Sequence, residues 1–198
     1  MLIVIAPEVD ISTETNTLNQ LFEAGLVCYH LRKPKMNLDE HIAYLKTIHP
    51  KFHNRIVVHF FHQLASEFNL KGVHFQEEKR KRILKNKTTD YYKEFQANDL
   101  TISSSFHSPE DISNCTMDFD YHFLSPVFTS ISKSGYIGRG FDVNNLGKAV
   151  IGIGGITADN IIKTKALGYK SVGVLGGIWN TDNPVESFKK IKDSFEPS

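Results

Sequence analysis

Four histidines stand at or just past the ends of short apolar runs. They are His30 in Leu26-Val27-Cys28-Tyr29-His30, His59 after Ile56-Val57-Val58, His74 in Gly72-Val73-His74, and His107 after Ser105-Phe106. Arg32, Lys33, Gln76, Ser105, Ser125, Ser130, Ser132 and Lys133 occupy comparable positions. If the apolar runs are parallel strands, these side chains gather at one end of the sheet. The set is rich in imidazoles, cations and hydroxyls and poor in carboxylates. It suits an anionic, phosphorylated substrate and proton transfer by histidine, whose ordinary pKa of about 6.5 lets it take and return a proton near neutrality. Two glycine turns join the set: Gly154-Gly155 after Val150-Ile151-Gly152-Ile153, and Gly176-Gly177 after Val172-Gly173-Val174-Leu175. Glycine lets the backbone approach a ligand, and N–H groups at such turns favour a phosphate.

The other histidines carry less promise. His41, His49, His53 and His62 fall on helices or their ends and are expected at the surface, and mid-strand His122 is expected in the core. Imidazoles are good zinc ligands, but no His-x-His pair occurs and no acid stands beside the four strand-end histidines, so no metal ligands are assigned. Cys28 and Cys115 lack metal-ligand spacing, and Cys28 in its apolar run reads as a reduced, buried thiol.

Eight strand-like runs alternate with capped helices. Ser12 or Thr13 opens the first helix, with Leu18, Leu21 and Phe22 on one face and Gly25 at its end. Asn37 and Glu40 form a capping-box pair. Ser108 followed by Pro109, Glu110 and Asp111 has the cap, proline and acids of a helix start. Thr157 caps a helix whose apolar stripe is Ala158, Ile161, Ile162 and Ala166. Asn183-Pro184 opens the last helix. Such alternation predicts an α/β fold, a single (β/α)8 TIM barrel with parallel strands, with its site at the strands' C-terminal ends. The doubly wound open sheet is the alternative, but its glycine-rich loop follows the first strand, where this chain has Ala6-Pro7-Glu8. No linker or composition shift divides residues 1–198, so one domain is expected. The basic segment from Lys79 to Lys87 reads as a solvated helix or loop rather than a nucleic-acid patch, because Glu77 and Glu78 offset it.

A net charge of +1 gives no global pull toward nucleic acid or membrane. No run approaches the about 18 apolar residues of a membrane span, and the apolar start at Leu2 to Ala6 is too short for a signal peptide, so a cytoplasmic location is expected.

The stretches His30-Leu31-Arg32-Lys33, Gly72-Val73-His74, Ser105-Phe106-His107-Ser108, Asp120-Tyr121, Ser125-Pro126-Val127-Phe128-Thr129-Ser130-Ile131-Ser132-Lys133 and Ile151-Gly152-Ile153-Gly154-Gly155-Ile156 together resemble the thiamin phosphate synthase/TenI family. The resemblance covers nearly the whole chain apart from the basic segment. It implies that Gly154-Gly155 and Gly176-Gly177 hold a thiazole phosphate, and that Arg32, Ser105, Ser130, Ser132 and Lys133 face a pyrimidine or its pyrophosphate. Lys33, His74 and His107 are counted with the substrate-binding set. The expected partners are a small phosphorylated thiazole or pyrimidine substrate and, at most, a second copy in a homodimer, with no nucleic acid and no membrane.

Synthases of this family join a pyrimidine pyrophosphate to thiazole phosphate with Mg²⁺. The resemblance places their two metal-binding aspartates at Phe60 and Lys79, neither of which can ligate magnesium. The TenI branch includes tautomerases that shift a proton on thiazole carboxylate phosphate. His30-Leu31-Arg32 resembles that branch, whereas Pro126 stands where its usual histidine would be. A metal-free TenI-type tautomerase is therefore the first expectation, with no cofactor. A synthase using Mg²⁺ is the second, and a non-catalytic binder of thiazole or thiamin phosphate the third. For the proton carrier, His30 ranks first, because the Arg32 charge on the same strand face would keep it neutral. His59 ranks second, with Phe60 and Phe61 drying its surroundings.

Overall fold

The computed structural model describes residues 1–86, 90–131 and 135–195. Eight parallel strands close into one barrel in chain order: β1 Leu2–Ile5, β2 Cys28–Leu31, β3 Ile56–Val58, β4 Gly72–Phe75, β5 Thr101–Phe106, β6 Tyr121–Leu124, β7 Val150–Ile153 and β8 Ser171–Val174. Register fixes the layers inside. Ile5 lies beside His30, His30 beside Val57, and His74 beside Ser103, which in turn pairs with Tyr121. Successive residues of a strand face opposite sides, so every strand sends alternate side chains inward. Ile3, Ile5, Cys28, Val57, Tyr121, Phe123 and Ile151 form the apolar part of that interior. Their neighbours in sequence pack outward against the helices in the larger core.

The helices are α1 Glu14–Glu23, α2 Leu38–Lys46, α3 Leu64–Glu67, α4 Glu77–Asn86, α5 Asp90–Ala97, α6 Pro109–Ser113, α7 Ile161–Ala166, α8 Gly176–Trp179 and α9 Pro184–Phe195. Local chemistry sets their ends. Asn37 and Glu40 bond each other's backbone in the expected box, Ser108 caps α6, and Gly25 leaves α1 at φ 97°. No helix among the described residues is long and apolar enough to cross a membrane.

Several expectations about helices need correction. Ile162 is 77% exposed, because a 3-10 turn at Ala158–Asn160 precedes α7 and rotates the stripe. His41, His53 and His62 are buried; only His49 among these four is exposed. The basic segment is helical, yet Arg80 is buried: its guanidinium bonds Ser104 Oγ at 3.1 Å and lies 3.8 Å above the Phe106 ring. Lys87 lies outside the described residues.

Candidate active site

At the C-terminal ends of the strands a cavity of about 430 Å³ opens. Glu8, Arg32, His59, Gln76, Glu77, Glu78, Ser105, His107, Ser130 and both glycine pairs contribute to its wall, and Phe123 and Ile153 to its apolar side. In a parallel barrel each βα loop and helix start lies at this face. That places Glu77 and Glu78, in the first turn of α4, at the cavity mouth, where the helix dipole favours carboxylates.

Beneath the cavity lies a buried polar layer. His59 lines the cavity, and its Nε2 meets His30 Nδ1 at 2.9 Å. His30 Nε2 meets the Tyr121 hydroxyl at 2.7 Å. His74 bridges Ser103 Oγ (2.8 Å) and Ser105 Oγ (2.7 Å). The His59 and His74 rings stack at 4.1 Å. Each hydrogen bond offsets the cost of burying a polar ring in this apolar surround. His59 Nδ1 is the exception, buried with no hydrogen-bond partner.

Burial controls the protonation of this layer. It pushes His30 down to about 3. It holds His59 and His74 well below the ordinary histidine range, with repulsion from the neighbouring histidines and Arg32 adding to the effect. Desolvation, not the Arg32 charge, is therefore what keeps His30 neutral. Arg32 is itself tied to Glu8 in an ion pair at the cavity wall.

The expected residues divide into three groups. Arg32, His59, Ser105, His107, Ser130, Gly154, Gly155, Gly176 and Gly177 line the cavity. His30 and His74 lie one layer deeper and touch it only through His59 and Ser105. Lys33 points the other way: it is 2% exposed, with Nζ 2.5 Å from Glu14 Oε2 behind the barrel. Glu14 also accepts from the Tyr44 hydroxyl at 2.6 Å and the Tyr29 hydroxyl at 3.1 Å. Lys33 is thus half of a buried structural ion pair and is not a substrate ligand. Ser132 and Lys133 lie outside the described residues.

The wall is also less cationic than the strand ends suggest. Three carboxylates face it, and two are held by cations. Glu8 pairs with Arg32; Glu77 pairs with Lys81 at 2.9 Å and Arg80 at 3.7 Å, and its other oxygen lies 3.4 Å from His107 Nε2. Glu8 carried no signal, because it sits in a loop whose path only the fold fixes. Tyr121 had one: alternation with Phe123 on β6 turns both rings inward.

The glycine turns are needed for loop packing as well. Gly154 and Gly155 have φ of 100° and 65°. A Cβ on Gly155 would stand 2.3 Å from the Thr129 carbonyl, and one on Gly177 2.5 Å from that of Ile156. The missing side chains let loops pack together, and packing then shapes the cavity. Gly155→Ala is accordingly expected to lower stability by about 3 kcal/mol through strain and overpacking, read as a shifted denaturant midpoint. An unchanged midpoint would contradict the packing role. Gly176 and Gly177 open α8, where the first N–H groups of a helix have no partner within it, and both residues line the cavity.

The chain matches the TMP-TENI family, thiamine monophosphate synthase, over residues 1–178. It belongs to that family. A thiamine-phosphate synthase of Dictyoglomus turgidum is 23% identical over 186 residues, covering 89% of this chain and 80% of that protein. The crystal structure of a thiamine phosphate pyrophosphorylase from Bacteroides thetaiotaomicron superposes with a TM-score of 0.72 at 29% identity, covering 98% of this chain and 96% of that one. A thiamine phosphate pyrophosphorylase from Pyrococcus furiosus, 17% identical with a TM-score of 0.76 over 98% of this chain and 94% of its own, shares the fold.

Within the TMP-TENI family the two aspartate positions now have observed occupants. Lys79 Nζ turns to His62 Nδ1 (3.3 Å) and the Tyr91 hydroxyl (3.3 Å), and lies 4.9 Å from the Tyr91 ring centroid. Phe60 contributes nothing to the cavity wall, and its ring packs 6.1 Å from that of His41. Neither side chain offers an oxygen, so the side chains at those positions do not fit magnesium.

Proposed function

We propose that this TMP-TENI family member acts in thiamin biosynthesis as a tautomerase, shifting a proton on thiazole carboxylate phosphate without metal. The observation that carries the reading is the cavity floor. It offers the neutral imidazole of His59, backed by His30, while Phe60 and Lys79, the positions where the resemblance places magnesium-binding aspartates, carry no carboxylate. In this reading the Gly176-Gly177 amides and Arg32 hold the phosphate and carboxylate. His59 takes the proton from a ring carbon, and one proton returns to another ring position, so substrate and protein end with the charges they began with. The apolar side, Phe123 and Ile153, supports a flat heterocycle and keeps water from the carbanion. An anionic substrate raises the proton affinity of a buried imidazole, which brings His59 toward the range a base needs.

The synthase reading keeps two supports. Glu77 and Glu78 line the cavity near Lys79, and the relatives above carry the synthase name. Chelation separates the two. Isomerisation of thiazole carboxylate phosphate is expected to proceed at the same rate in EDTA. Loss of all activity on chelation, restored by Mg²⁺, would move the assignment to the synthase.

A further inference from the structure

The cavity wall carries a second proton-handling group that the tautomerase reading leaves unused: His107, just past the end of β5. His107, Glu77, Ser125 and Tyr136 all line the cavity. His107 Nδ1 lies 3.2 Å from the Ser125 carbonyl oxygen, 3.1 Å from the Ser125 hydroxyl and 3.3 Å from the Tyr136 hydroxyl. His107 Nε2 lies 3.4 Å from Glu77 Oε2, and the His107 side chain is 40% exposed, so a ligand in the cavity can reach it. The Arg139 guanidinium donates to the His107 carbonyl at 3.3 Å and so holds the backbone beneath the ring.

Donor and acceptor chemistry places the protons. A carbonyl oxygen only accepts, so the Nδ1 that faces Ser125 carries a hydrogen and donates it. A neutral ring then has a bare Nε2, and that nitrogen faces a carboxylate oxygen, which also only accepts. Two facing acceptors repel, whereas one proton between them makes a charge-assisted pair. The hydrogen on Nδ1 also keeps His107 from taking the Ser125 hydroxyl proton, so Ser125, His107 and Glu77 do not work as a nucleophilic triad. Glu77 is fixed for its contact from behind. Its Oε1 is 2.9 Å from Lys81 and 3.7 Å from Arg80, and Arg80 is anchored to Ser104 Oγ (3.1 Å) and the Ser105 carbonyl (3.2 Å). That leaves Oε2 turned to His107.

We propose that His107 is the catalytic acid of this cavity, giving from Nε2 the proton that the product gains, with Glu77 as its positioning residue. The proposal rests on the tautomerase reading, in which His59 removes the first proton. One C–H bond of the substrate breaks, its proton goes to His59, and its electron pair moves into the conjugated heterocycle. That density then forms a new C–H bond elsewhere on the heterocycle with the proton from His107 Nε2. His59 ends one proton richer and the His107–Glu77 pair one poorer, so the total is unchanged, and solvent resets both once product leaves. Burial and the neighbouring imidazoles keep His59 free of a proton and ready to take one. The carboxylate beside His107 gives a held proton its countercharge.

The test incubates the full-length protein with thiazole carboxylate phosphate in deuterium oxide and follows two rates by NMR. Deuterium entering unreacted substrate reports proton removal, and conversion to the aromatic tautomer needs proton return as well. His107→Asn should slow conversion about 10²-fold or more, and Glu77→Gln about tenfold with KM changed less than twofold. In both variants the ratio of exchange to conversion should rise about tenfold or more, whereas His59→Asn should slow both rates together. A merely structural role would lower both rates alike. An unchanged ratio in His107→Asn would therefore overturn the acid, and a wild-type ratio in Glu77→Gln would overturn the positioning role. Proton placement is checked without substrate: ring nitrogen shifts of the ¹⁵N-labelled protein should show a hydrogen on His107 Nδ1, and a bare Nδ1 would overturn the pair. A wild type that neither exchanges nor converts would end the tautomerase reading, and the donor role with it.

Discussion

Acidification is expected to unfold this protein cooperatively, above the range in which most carboxylates titrate. Buried histidines set that range: His30, His59, His62 and His74 together with His41 and His122, whose pKa values burial also lowers. Burial holds His30 at about 3 and His62 at about 4, with Lys79 adding to the shift at His62, and it holds His59 and His74 well below 6.5. Their unfolded-state pKa is about 6.5. Between that value and the lower native values, the unfolded chain binds protons that the native state refuses. Stability is therefore full above about pH 7 and falls as pH falls through 6.5. Each such proton is worth about 1.4 kcal/mol per pH unit, a large share of the about 5–15 kcal/mol by which a domain is stable. Urea unfolding across this range measures the slope directly, and His30→Asn should lower it. Constant stability down to pH 4.5 would show that these histidines titrate normally.

The second large effect is catalytic. His59→Asn keeps a hydrogen bond to His30 but cannot titrate, and it is expected to slow proton exchange into thiazole carboxylate phosphate by about 10²–10⁴-fold. His59 is the histidine that both lines the cavity and contacts the buried layer. His30→Asn acts one contact away and should cost at least tenfold. The double variant should fall no further than His59→Asn alone, since both side chains serve the same proton. The measurement is deuterium uptake from solvent, followed by mass. Wild-type rates in both single variants and the double variant would end the histidine account and leave the non-catalytic binder as the better reading.

The barrel was legible because its signals are local. Alternating apolar runs, caps such as Asn37 with Glu40 and Ser108, and the paired glycine turns each mark an element by its own sequence. The site was legible only as far as a single periodicity carried. Two-residue alternation continued past β2 puts His30 and Arg32 on one side and Leu31 and Lys33 on the other. Lys33 therefore belongs behind the barrel with Glu14, a distinction that counting cations at a strand end does not make. His62 is buried, yet it precedes a four-residue helix too short to show a stripe. Arg80 illustrates the same limit in a charge run, where one cation turns inward to Ser104 and Phe106 while its neighbours stay wet. The buried polar layer draws on four strands, β2, β4, β5 and β6, and on the loop after β3, and no sequence pattern encodes a hydrogen bond between His30 and Tyr121, 91 residues apart.

The most direct test of the proposed chemistry is one incubation read two ways. The full-length protein is mixed in EDTA with thiazole carboxylate phosphate in deuterium oxide, and the heterocycle is followed by NMR. The account predicts conversion to the aromatic tautomer with one solvent deuteron incorporated, at a rate that Mg²⁺ does not change. No conversion in EDTA, together with thiamin phosphate formed from pyrimidine pyrophosphate and thiazole phosphate once Mg²⁺ is supplied, would contradict it.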